Sequence, residues 1–189
     1  MTKKELKINI VRANEKHLSA ITRIARKQLG YTHFFDKILQ DNTISVFCAV
    51  CNDKVLGYVI GKLYSNASFF KKYKKIKLAK ANELKKAKKI GMLVSIAVKS
   101  KYQRKKIGSR LVRALLKKFN EHNVETTAMT AWKSKNGISM HKIASQQGFK
   151  ELAEIKNYWK KDSQNHGYHC PDCGPPPCKC SCVVYALKM

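Results

Sequence analysis

The sequence predicts an α/β (α+β) domain of about seven strands and about four helices. Three observations carry this. Short β-branched and aromatic runs alternate along the chain with apolar stripes at helical spacing. The 189 residues are 44% hydrophobic and 9% aromatic, enough for one packed core and too apolar for a disordered chain. No run of about 18 apolar residues occurs, so no membrane-spanning helix is expected. The length fits a single domain over 1–189.

Ile8 to Arg12 reads as a first strand. Asn14 is placed to cap a helix running to about Leu29, with Leu18, Ile21, Ile24 and Ala25 on one face and Gly30 at its end. Phe34, Phe35, Ile38 and Leu39 mark a second short helix. Ser45–Cys51 and Val55–Ile60 form a hairpin about the Asn52-Asp53 turn. Cys48 and Cys51 lie three apart on one strand and point to opposite faces, so they read as buried apolar thiols.

Lys71 to Lys89 holds ten Lys in nineteen residues, with only Glu83 in opposition. The tract reads first as a solvated helix or loop, and second as an electrostatic docking element for an acidic partner. Met92–Val98 is a strongly apolar strand, followed by a basic turn and a helix whose stripe is Ile107, Leu111, Val112, Leu115, Leu116 and Phe119. Val124–Trp132 is a strand, Asn136–Gln147 a helix closed by Gly148-Phe149, Leu152–Tyr158 a strand, and Cys182–Leu187 the last one.

The net charge is +27, from 39 basic and 12 acidic residues. Only six of the 39 are Arg. A reader of nucleic-acid sequence leans on Arg for bidentate contacts, so this field points to non-specific attraction toward polyanions such as RNA or ribosomes. The N-terminal Met1-Thr2-Lys3-Lys4-Glu5 has no apolar run behind it, and the chain reads as cytoplasmic.

Five of the seven Cys fall between Cys170 and Cys182. In a reducing compartment such a cluster reads as a metal site before a disulfide framework. Cys170-Pro171-Asp172-Cys173-Gly174 is half of a zinc knuckle, and Pro175-Pro176-Pro177 shapes the return to Cys178 and Cys180. Those four thiols are the expected ligands within a loop over 166–182. Cys182 is set aside because it opens the last strand, while His169 remains an alternative ligand. Zinc is favoured and iron stays open. Four thiolates leave no open position, so the role expected is structural.

Leu93 to Leu111 reads strand, basic turn, amphipathic helix, an arrangement that gathers N–H groups and cations for an anion. Here the sequence resembles the GNAT acetyltransferase superfamily. The family turn is Gln/Arg-x-x-Gly-x-Gly/Ala, and this chain has Gln103-Arg104-Lys105-Lys106-Ile107-Gly108, with Lys106 in place of the middle Gly. A second signature runs from Trp132-Lys133-Ser134-Lys135-Asn136 to Gly148-Phe149. Leu93–Val98 and Asn157-Tyr158-Trp159 are most similar to the N-terminal protein acetyltransferases of the ribosomal-protein type.

The resemblance implies a mixed central sheet and acetyl-CoA bound where two central strands part. The pantetheine would pair with Ile96, Ala97 and Val98. The pyrophosphate would sit on the turn Gln103, Arg104, Lys105, Lys106, Ile107, Gly108 and Ser109, with Asn136 as a further polar contact. It implies transfer to an amine, foremost a protein N-terminus, with a lysine or small amine as alternative acceptor. The family's acid is commonly a Tyr four residues before the Gly-Phe pair, where this chain has Ala144. The positions that assist the base correspond to Tyr64 and Met92, which leaves Tyr64 and Tyr158 as the candidate catalytic residues. Ala144 keeps a third class open: a non-catalytic acyl-CoA-binding, basic zinc protein associated with RNA or ribosomes.

Overall fold

The computed structural model describes residues 7–30, 37–77, 82–134, 137–138 and 140–189. In chain order the elements begin with strand β1 (Asn9–Arg12), helix α1 (Glu15–Leu29) and strands β2 (Ile44–Cys51) and β3 (Lys54–Ser65). Three short helices follow, α2 (Asn66–Lys72), α3 (Lys74–Lys77) and α4 (Asn82–Lys86), and then β4 (Lys89–Val98). After a 3-10 turn at Ser100–Tyr102 come α5 (Ile107–Glu121), β5 (Thr126–Ser134) and the two-residue β6 (Gly137–Ile138). The chain closes with α6 (His141–Gln146), β7 (Lys150–Ile155), α7 (Lys160–His166) and β8 (Ser181–Lys188).

The sheet order is β1-β2-β3-β4-β5-β8-β7, with β6 paired to β5. The first four strands run antiparallel to their neighbours, and β4 and β5 are the one parallel pair. The mixed sheet expected from the resemblance is therefore present. The described residues hold seven α-helices against the four or so expected. The added ones are the three pieces of the lysine tract and α7. The expected strand Leu152–Tyr158 ends at Ile155 instead, where the chain turns through Asn157 at φ +52 into α7. Of the second helix expected at Phe34–Leu39, Phe34 and Phe35 lie outside the described residues, and 37–40 form a turn.

Period-2 alternation sends successive side chains to opposite faces, and each face has its own cover. On one face Leu93, Met129, Ala131 and Tyr185 pack with Ile107, Leu111, Leu115 and Phe119 of α5. On the other, Tyr58, Ile60 and Ala97 pack with Ile21, Ile24 and Ala25 of α1. Beside them Met92, Val184 and Cys182 meet Phe69, Phe70, Ile76 and Leu84 of α2–α4. The lysine tract is thus anchored by its few apolar residues rather than freely solvated. Cys48 belongs to the α1 face and Cys51 to the α5 face, as the spacing predicts. Burial raises the Cys48 thiol to about 12, so it is inert at neutral pH.

Helix α5 lies close on the sheet because β3 and β4 present glycines beneath it. A Cβ on Gly61 or Gly91 would collide with the Phe119 ring, which is itself fully buried. This close approach fixes the helix axis, and with it the helix N-terminus at Ile107.

Candidate active site

Strands β4 and β5 pair only from Ile90 to Leu93 against Thr126 to Met129. Beyond that point β4 stays with β3 while β5 stays with β8, and the two part. The divergence begins at an irregularity in β4. Ile60 pairs Ser95 and Gly61 pairs Leu93, which leaves Val94 as an extra residue. Such a bulge turns two successive side chains to one face. Val94 packs with the α1-side clusters. Ser95 Oγ meets the Tyr58 hydroxyl at 2.9 Å, and Tyr58 belongs to the α1 cluster as well. Past the bulge, the β4 backbone groups that face β5 have no strand partner.

A cavity of about 780 Å³ occupies this gap. Tyr58, Ile60 and Met92 line it from the α1 face, and Met129, Ala131 and Met140 from the α5 face. The cavity therefore passes through the sheet. Ile96 lies on its wall, while Ala97, Val98 and the turn Gln103–Ser109 lie beyond it.

That turn has a definite shape. Arg104 and Lys106 are left-handed, at φ +58 and +59, and Lys106 is the N-cap of α5. The Gln103 side chain donates to the Val98 carbonyl at 3.0 Å and to Gln28 Oε1 at 3.2 Å, lashing the turn to β4 and α1. The amides of Ile107, Gly108 and Ser109 open α5 and have no intrahelical acceptor by helix geometry. Arg104, Lys105 and Lys106 stand beside them in the chain, a combination of donors and cations that can receive an anion. A Cβ on Gly108 would press on Ile143 of α6, so its lack of a side chain brings the two helices together. Asn136 lies outside the described residues.

Tyr64 and Tyr158 both line the cavity. Tyr64 stands edge-on to Phe69 and to Tyr73, with ring centroids 5.9 and 5.7 Å away. Tyr158 stands edge-on to Trp159, with ring centroids 5.0 Å apart. Its backbone N–H donates to the Cys180 carbonyl at 3.2 Å, and Lys75 Nζ donates to its carbonyl at 2.6 Å. Burial above all, then the nearby Cys182 and Asp162 charges, pushes the Tyr158 hydroxyl well above its ordinary value of 10. Tyr158 therefore keeps its proton at neutral pH and is unsuited to act as a base. Tyr73, near the start of the lysine tract, joins the two as a third cavity phenol, and burial raises its hydroxyl as well. Its signal in the sequence is the Phe69-x-x-x-Tyr73 spacing, one helical face of aromatics. Ala144 is fully buried among the α5-side core residues and does not line the cavity. A Tyr there would have to displace that packing.

Among the described residues one carboxylate lines the cavity, Asp162. It accepts from the Tyr168 hydroxyl at 3.1 Å and lies 3.5 Å from His166 Nε2.

The Sγ atoms of Cys170, Cys173, Cys178 and Cys180 all lie within 4.8 Å of one another. Cys180 stands 3.7 Å from Cys170 and 3.3 Å from Cys173. Zinc–sulfur bonds of about 2.3 Å in a tetrahedron require sulfurs about 3.8 Å apart, so these residues fit the ion. Cys170 and Gly174 exchange backbone hydrogen bonds of 2.8 and 2.9 Å, closing the knuckle turn, and the Lys179 amide donates to Cys173 Sγ at 3.4 Å. Cys182 lies elsewhere: it pairs with Trp132 and Ile155 in the sheet and is fully buried in the α2–α4 cluster. His169 is not part of the sulfur group. The knuckle packs on Trp132 and Trp159, and the buried Ser163 of α7 accepts from the Cys178 amide at 2.9 Å. Cys170, Pro171 and Cys178 form part of the cavity wall.

A model of the acetyltransferase (GNAT) family matches residues 12–149. No curated protein matches in sequence. Among solved structures, the ribosomal-protein-S18-alanine N-acetyltransferase from Escherichia coli is similar at a TM-score of 0.65 and 16% identity, over 96% of this chain and 94% of that one. Arabidopsis thaliana NAA60 in complex with acetyl-CoA reaches 0.73 at 12% identity, over 97% and 99%. An agmatine N-acetyltransferase mutant reaches 0.65 at 10%, over 96% and 99%. At these identities the likeness is one of fold. Two of the three are named for different acceptors, the alanine of a ribosomal protein and agmatine, so the fold alone does not choose one.

Proposed function

The chain belongs to the GNAT acetyltransferase family, and from that premise we propose that it transfers acetyl from acetyl-CoA to the α-amine of a protein or peptide N-terminus. The observation that carries this is the cavity through the sheet. Ile96 on its wall leads along β4 toward the turn Gln103–Ser109, and the lining on its other side comes from α1, α2 and α3. Co-substrate and acceptor can then approach one point from opposite faces, with the free backbone of Ile96, Ala97 and Val98 ordering the first of them.

Acetyl-CoA supplies the thioester. The acceptor nitrogen bonds to the acetyl carbon, the carbon–sulfur bond breaks, and the surplus proton on nitrogen passes to water. The leaving thiolate takes its proton from solvent while the Tyr158 hydroxyl donates a hydrogen bond to it, and Tyr64 shapes the entry. Tyr158 is thus assigned as a donor and not as a base.

The choice of acceptor follows from the lack of a free base among the described residues that line the cavity. Asp162 is occupied by Tyr168 and His166, so the acceptor has to lose its proton largely by itself. An α-amine, with an ordinary pKa of about 8, is neutral roughly 200 times more often at pH 7 than a lysine amine at about 10.4. The surrounding lysines lower the acceptor amine further.

The knuckle would hold one zinc through Cys170, Cys173, Cys178 and Cys180 in a structural role, inside a single domain over 1–189. Strands β7 and β8, on either side of the knuckle in sequence, pair in the common sheet. Incubation with acetyl-CoA and a peptide library, read by mass spectrometry, tests the transfer. Acetyl should appear on N-termini; modification of lysine side chains alone, or none at all, would refute the reading. Elemental analysis tests the metal, where iron or no metal overturns the zinc assignment.

A further inference from the structure

Resting on that reading, we propose that the acceptor is an acidic peptide, held by the lysines of α2 and α3 through carboxylates that follow its N-terminal residue. Six ammonium groups line the cavity, Lys62, Lys71, Lys72, Lys74, Lys75 and Lys161, against the single carboxylate of Asp162.

Not all of them are available. Lys62 is neutralised by Asp41 at 2.7 Å, and Lys75 is bound to the Tyr158 carbonyl. Lys71, Lys72, Lys74 and Lys161 are exposed and have no ion pair with another described residue. Asp162 offers them little, because it already serves Tyr168 and His166.

The placement of these charges is fixed by packing. Phe69, Phe70 and Ile76 are buried in the core and Tyr73 packs on Phe69, so Lys71, Lys72 and Lys74 between them are left exposed along the cavity. Deeper in, the buried Met92 and Met129 make an apolar floor suited to a first side chain. An extended chain rises about 3.3 Å per residue, so the next few residues of an acceptor emerge among the lysines. Carboxylates there relieve like-charge crowding at the mouth and offset the long-range repulsion that a net +27 exerts on an N-terminal ammonium. A lysine-rich or polyamine acceptor meets that repulsion with nothing to offset it.

Fluorescence anisotropy with C-terminally labelled decapeptides tests this without turnover. The peptides share one N-terminal residue, followed by Asp/Glu, by Ser/Ala or by Lys. The acidic peptide should bind about tenfold tighter than the neutral one at low salt, with the margin shrinking as salt rises. The triple variant Lys71→Ser, Lys72→Ser, Lys74→Ser should bind the acidic peptide no better than the neutral one. Its melting shift with acetyl-CoA should match the wild type, which shows that it is folded. Equal affinity for acidic and neutral peptides overturns the proposal. So does a triple variant that retains the preference, or an RNA oligonucleotide that displaces the peptide more tightly than an unlabelled copy. Acidic preference in binding with no transfer refutes the acetyltransferase reading and leaves this one standing; transfer without preference does the reverse.

Discussion

At the scale of single residues, Lys106 is where sequence and backbone disagree most. The family pattern has Gly at this position, and the chain adopts the left-handed conformation that Gly favours, at φ +59, with a lysine instead. A Cβ in that region costs about 1–2 kcal/mol, and Gly returns part of the gain through its flexibility when unfolded. Lys106→Gly should stabilise the protein by about 0.5–1 kcal/mol, a rise of roughly 1–4 °C in Tm, while the amide that faces the anion remains. A calorimetric scan showing a lower Tm would contradict this. Tyr158 supplies the second test. If its hydroxyl steadies the leaving thiolate, Tyr158→Phe should lower kcat about 100-fold with little change in the acceptor KM. Its raised pKa also has a sign. The native state holds that proton more tightly than the unfolded chain, so this stability is complete below pH 10 and is lost as pH rises past it. The Phe variant should therefore lose less stability than wild type between about pH 10 and 12, as seen in denaturant titrations.

At the scale of elements, what the sequence made legible was whatever has a strong period or a strict covalent requirement. Strands β1–β5, helix α5 and the knuckle have one or the other. The grouping of Cys170, Cys173, Cys178 and Cys180 was readable from their spacing, and Cys182 stands apart from it in β8, buried against α2–α4. Helices α2, α3 and α7 were not readable. They are four to seven residues long, too short to display a period, and are held by tertiary contacts of Phe69, Phe70, Ile76 and Ser163. The gap between β4 and β5 could be inferred only from the family likeness, since a bulge at Val94 leaves no mark in an apolar run. The knuckle connects these poorly legible elements. It reaches α1, where a Cβ on Gly30 would strike the His169 carbonyl, α7 through Ser163, and Tyr158 through Cys180. Removing the metal should therefore speed hydrogen exchange over 158–180 and raise the acceptor KM. The Gln103–Ser109 turn should stay protected, with the acetyl-CoA affinity unchanged. A thiol titration gives a companion reading. After chelation the four knuckle thiols should react as their loop loosens, while Cys48 and Cys182, fully buried within β2 and β8, stay silent until the protein unfolds. Cys173→Ser should abolish metal binding and Cys182→Ser should not.

At the scale of the whole molecule, the charge of +27 acts on the chemistry as well as on encounter. Composition alone pointed to polyanions in general, because it cannot tell a lysine beside a cavity from one on an outer face. The placement of Lys71, Lys72, Lys74 and Lys161 around the cavity makes the field local. A positive field favours the neutral form of a nearby amine, so it does part of the work that a general base would do elsewhere. This separates two origins for the pH dependence of transfer. Without an enzyme base, kcat/KM should rise tenfold per pH unit and level off at the ionisation of the acceptor itself. Fluorinated peptide amines of lower basicity should move that inflection down by the difference in their own pKa. An inflection that stays in place across the acceptor series would belong to a group on the enzyme, and the base would then have to be sought among residues such as Asp162. In kcat, which reports the bound acceptor, the inflection should lie lower than in kcat/KM and should move upward as added salt screens the lysine field, most of all for peptides that carry no carboxylates of their own.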